Sequence, residues 1–140
     1  MNEKKLQPFF IFGSPRSGTS LLSRMLDSHE QLVVPNESLI FKMFSSSLAA
    51  YGDLSQLENQ KKLLRDILAT RVIRYWLPIP KFAEVLSLIK QPGFAGVIEA
   101  LICSRAPEKD LLAWGEKSPG HVFYWADIKA AYPNAKVIHI

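Results

Sequence analysis

The residues best suited to chemistry stand near the start of the chain. Phe9, Phe10, Ile11 and Phe12 form an apolar strand that runs into Gly13, Ser14, Pro15, Arg16, Ser17 and Gly18. Thr19 and Ser20 then open a helix whose first turn carries Leu21 and Leu22. A strand, a glycine-bounded loop and a helix N-terminus together make an anion site. The loop amides turn inward, and the helix adds unpaired N–H groups and the positive end of its dipole. The guest this favours is a phosphate or sulfate group.

Gly13 and Gly18 have the spacing of a G-x-x-x-x-G-K-[ST] nucleotide loop, whose lysine reaches the β- and γ-phosphates. Thr19 occupies the lysine position here. The loop's cation is Arg16, whose guanidinium forks onto two oxyanions and stays charged at any working pH. Thr19 and Ser20 also suit plain helix capping, a role compatible with anion binding. An ATP-dependent kinase using this loop is a rival reading. It is disfavoured by the missing lysine and by the lack of a clear acidic, magnesium-binding strand end.

The run Gly-Ser-Pro-Arg-Ser-Gly-Thr-Ser-Leu-Leu resembles the 5′-phosphosulfate loop of the sulfotransferases that use 3′-phosphoadenosine-5′-phosphosulfate (PAPS). It is most similar to the branch reading P-R-S-G-T-[TS], which includes tyrosylprotein and bacterial types. The resemblance implies that Ser14, Pro15, Arg16, Ser17, Gly18, Thr19 and Ser20 hold the donor, with PAPS as co-substrate and no metal. It implies that Glu37, after a short strand, takes the proton of the acceptor. A glutamate there would also suit the N-terminus of a following helix. Gly115-Glu116-Lys117-Ser118-Pro119 is similar to the branch's E-K-[ST]-P element, which implies that Lys117 stabilises the leaving oxygen. A surface lysine in a proline–glycine turn is the alternative. His29-Glu30 departs from the branch's His-Pro pair. His121 is expected at a helix N-terminal surface or beside an acceptor cleft.

The elements that must position these residues follow from periodicity. After the first strand a helix is expected over residues 19–28, with Leu21, Leu22, Met25 and Leu26 on one buried face. A strand follows over residues 32–34. Helices are then expected over residues 38–50, 54–76, 81–90 and 93–104, with Leu39, Ile40, Met43 and Phe44 buried in the first of them. Residues 111–114 read as a strand, 120–132 as a helix and 135–140 as a last strand. Strands alternating with helices imply an α/β fold: a P-loop-type parallel sheet flanked by helices, with a helical insertion at about residues 40–105.

The 140 residues suit a single domain. The resemblance places R-D-P-R, the 3′-phosphate element, just after a strand like Val137–Ile140. The sequence stops there, so the domain reads as incomplete and its hold on PAPS as weak. A non-catalytic anion- or nucleotide-binding remnant is therefore the third reading. The net charge of +4 fits an anionic ligand but is too small and dispersed for nucleic acid. Cys103, the single cysteine, lies in an apolar run and reads as a buried small side chain. No segment reaches membrane-spanning length, and a cytoplasmic location is expected. The acceptor and the oligomeric state are not encoded legibly.

Overall fold

The computed structural model describes residues 3–140. Four strands, β1 (Gln7–Phe12), β2 (Leu32–Val33), β3 (Ala113–Lys117) and β4 (Lys136–His139), form one parallel sheet in the order β2-β3-β1-β4. Helix α1 (Thr19–Asp27) links β1 to β2, and α7 (Trp125–Ala131) precedes β4. Between β2 and β3 lie α2 (Ile40–Phe44), α3 (Leu57–Ala69), α4 (Arg71–Arg74), α5 (Phe82–Leu88) and α6 (Gly93–Cys103). The chain is an α/β protein whose parallel sheet is flanked by helices, as the alternation of patterns predicts.

Strand β1 is central because it is apolar on both faces. Phe10 and Phe12 point into the larger core, with Phe41 of α2, Trp114 of β3 and Tyr132. The rings meet edge-on: Phe10 and Trp114 at 5.9 Å, Trp114 and Tyr132 at 5.0 Å. The Trp114 indole donates to Glu99 Oε2 at 2.8 Å, so its polar edge is satisfied while the ring is buried. Phe9 and Ile11 face the other way, into a smaller cluster with Val34 and the half-buried Leu22 and Leu26 of α1. Cys103 is largely buried, and burial, with Glu99 adding to it, pushes its thiol up to about 12.

Several boundaries differ from the sequence expectation, each for a physical reason. Strand β3 begins at Ala113 and continues through Lys117, where the pattern had suggested residues 111–114. Parallel pairing with β1 extends it, setting Phe10 opposite Glu116 and Ile11 opposite Lys117. The helix expected over residues 38–50 begins only at Ile40, because Leu39 is left-handed at φ 53°; it then tightens into a 3₁₀ segment, Ser45–Tyr51. Phe41 joins Ile40 and Phe44 on its buried side, and Met43 is exposed. The helix expected over residues 54–76 breaks at Thr70, whose ψ of 144° is extended. On α1 only Leu22 and Leu26 pack; Leu21 and Met25 are exposed, because the small polar Thr19 and Ser23 occupy the rest of the buried face.

Candidate active site

Strand β1 delivers the chain to Gly13 at the C-terminal edge of the sheet, where open α/β proteins hold ligands. A Cβ on Gly13 would stand 2.7 Å from Ser17 Oγ and 2.8 Å from Thr19 Cγ2, so only glycine lets the loop fold back this tightly. The Ser17 amide closes the turn onto the Ser14 carbonyl at 3.2 Å. Arg16 (φ 61°) and Gly18 (φ 93°) are both left-handed. For an arginine that conformation costs about 1–2 kcal/mol. Backbone strain of this kind collects at functional sites. Helix α1 starts from Gly18 with no side-chain cap, so the amides of its first turn are left for an incoming anion. Ser17 Oγ is buried without a hydrogen-bond partner, a second unused polar group in the same cradle.

Lys117, at the end of β3, reaches into this cradle. Its Nζ donates to Ser20 Oγ at 3.2 Å and pairs with Glu37 Oε1 at 3.0 Å. Lys117 is 7% exposed and Glu37 is 42% exposed, so the pair straddles the boundary between core and solvent. Three residues named from the sequence, Ser20, Glu37 and Lys117, thus meet at one point. Arg16 is exposed on the loop that begins beside them, and Pro15 and Ser14 complete the turn.

Behind the Lys117–Glu37 pair lies a buried group whose linkage the sequence does not foretell: Glu116 reads there as orienting Lys117 or as exposed, and His121 as a helix-surface or cleft residue. Glu116 is fully buried. Its Oε1 accepts from the hydroxyls of Ser38 and Ser118, and its Oε2 pairs with His121 Nδ1 at 2.9 Å. His121 is also fully buried, not on a helix surface, and its ring stands edge-on to Phe41 at 5.5 Å. Burial alone would push the Glu116 carboxyl up. The His121 charge and the hydrogen bonds from His121, Ser118 and Ser38 outweigh it and hold the group below the usual carboxylate range. The Trp76 indole donates to the Glu37 carbonyl at 3.1 Å. The missed signal was strand period: carried through Lys117, it puts Glu116 on the core face with Trp114.

The family model for the sulfotransferase family matches residues 8–140, from the first strand to the last residue. The chain belongs to the sulfotransferase family. No curated protein gave a significant match. The glycine-bounded loop of this sulfotransferase-family protein follows β1 at the C-terminal edge of the sheet. Open grooves also lie elsewhere. One of about 420 Å³, lined by Lys4, Lys5, Lys90 and Asn134 among others, sits at the opposite, N-terminal edge of the sheet, away from the loop. Among the described residues no group of three or more His, Cys, Asp or Glu side chains could hold a metal ion, and no helix is long and apolar enough to cross a membrane.

Proposed function

We propose that this sulfotransferase-family chain transfers a sulfuryl group from PAPS to a hydroxyl or amine acceptor. The observation that carries the reading is the position of Lys117 Nζ, within hydrogen-bond distance of both Ser20 at the helix N-terminus and Glu37. PAPS would supply the sulfonate and a phosphate leaving group. The open amides of Gly18 to Leu21, the unpartnered Ser17 hydroxyl and Arg16 fit that anion and would hold it. Lys117 would neutralise charge on the departing oxygen, and Glu37 would take the acceptor's proton. The Lys117–Glu37 bond joins the two groups before any ligand is present. An arriving anion competes for the ammonium and leaves the half-exposed carboxylate facing solvent.

The donor is tested by isothermal titration of the full chain with PAPS and with Mg-ATP. PAPS is expected to bind, and Arg16→Ala is expected to weaken it by about tenfold or more, the worth of a charge-assisted hydrogen bond. Binding of Mg-ATP without binding of PAPS would sink the proposal in favour of a kinase. In a transfer assay, Glu37→Gln is expected to lower the rate by about 10²–10⁴-fold, the usual contribution of a general base. A wild-type rate would remove Glu37 from that role.

A further inference from the structure

We infer that the buried Glu116–His121 couple is a positioning device that sets Glu37 against Lys117. Glu116 and Lys117 are successive residues of β3 and point to opposite faces of the sheet. Lys117 grips Glu37 from the loop side. Glu116 grips the next residues of the same segment from the core side. A carboxylate only accepts, so the Ser38 and Ser118 hydroxyls must both donate to it. That fixes their lone pairs, and these accept the amides of Ile40 and Leu39, each at 3.2 Å. His121 Nδ1, donating to the other carboxylate oxygen, sets the rotation of the group on which all of this depends. Leu39 is thereby held left-handed, and that bend at φ 53° turns the chain between Glu37 and α2. His121 touches neither Glu37 nor Lys117 in any hydrogen bond; it acts through Glu116.

The assignment rests on the roles given to Glu37 and Lys117 above, but its test needs no donor. Hydrogen exchange of the Leu39 and Ile40 amides and of the Trp76 indole, followed by NMR on the full chain, reads the grip directly. His121→Phe keeps a ring and removes the donor; His121→Asn loses the ring and keeps a donor near the Nδ1 position. Exchange is expected to quicken about tenfold or more in His121→Phe and to stay within about threefold of wild type in His121→Asn, as for local opening of a held segment. The Trp114 indole, on the same strand but bonded to Glu99, is expected to keep its protection in both. A space-filling histidine would give the reverse order and overturn the inference. Ser38→Ala, which removes one hydroxyl, covers the case in which a histidine variant fails to fold. Faster Leu39 and Ile40 exchange with steady Trp114 supports the device; unchanged Leu39 and Ile40 exchange, or equal loss at Trp114, overturns it. If PAPS binding is absent while these exchange results hold, the donor reading fails and the positioning device stands.

Discussion

Glu116 and Lys117 are one peptide bond apart, and each makes an ionic contact, yet the two contacts are built for opposite purposes. Glu116 is enclosed and accepts from three donors, with both carboxylate oxygens engaged. Lys117 is enclosed too, but its partner Glu37 is half-exposed and its second contact is a single hydroxyl. A buried charge whose partner is removed has no water to replace it, whereas a half-exposed pair can trade its partner for solvent or a ligand. The core side of β3 is therefore arranged to stay as it is, whereas the loop side can exchange its partners. Stability measurements can break this distinction or sharpen it.

The largest effect is expected for Glu116→Ala. It leaves the Ser38 and Ser118 hydroxyls and His121 without their acceptor and opens a void. The cost is expected to be about 3–5 kcal/mol, as for breaking a buried ion pair. Urea unfolding measures it, and a loss below about 1 kcal/mol would put both sides of β3 in the same class.

Next comes the strand that carries them. A Cβ on Gly115 would overlap the Phe9 ring directly. Gly115→Ala is expected to cost about 1–3 kcal/mol by overpacking and to disturb the Lys117 side first, since Gly115 and Lys117 share a face. A neutral result by thermal melting would mean that Phe9 has room to swing away, and that the loop side is looser than the packing suggests.

A smaller effect is expected in acid. The Glu116 carboxyl is depressed in the folded chain, so its contribution is fully present above the unfolded glutamate value of about 4.3 and is lost as pH falls through the lower folded value. Urea midpoints of the wild type are therefore expected to fall more steeply below about pH 4 than those of Glu116→Gln, which has no such proton to gain. Parallel curves would show that the carboxylate contributes no acid-sensitive stability.

The loop side of this contrast was legible in the sequence, and the core side was not. Gly13, Arg16, Gly18 and Thr19 marked a tight turn into a helix N-terminus, and the structure has that turn and an uncapped helix start there. Glu37 and Lys117 were named through resemblance, and the sheet brings Lys117 within hydrogen-bond distance of both Glu37 and Ser20. The fold class was readable too, since β1 is apolar on both faces. Glu116 and His121 were obscured because a charged residue and a histidine beside Pro119-Gly120 look like an exposed turn. Strand period puts Glu116 inside only if β3 is carried as far as Lys117, and that extension comes from its pairing with β1, a contact between residues about a hundred positions apart. The left-handed Leu39 was invisible for a related reason. Nothing in its own side chain favours φ 53°, which is imposed by hydrogen bonds from the far side of the insertion.

The smallest stability effect is expected for Glu37→Gln, the variant with the largest expected effect on transfer. Its carboxylate is half in solvent, and Lys117 retains Ser20 when the pair is broken. The backbone of residue 37 is held by the Trp76 indole, which binds its carbonyl and does not sense the side chain. The expected cost is about 0–1 kcal/mol, in the range of exposed pairs. A urea midpoint close to wild type, together with loss of transfer, would identify a carboxylate that is presented by the fold without supporting it. A cost matching that of Glu116→Ala would mean that Glu37 is part of the rigid core. Lys117 could then not be drawn from it by a ligand, and the division between the two faces of β3 would collapse.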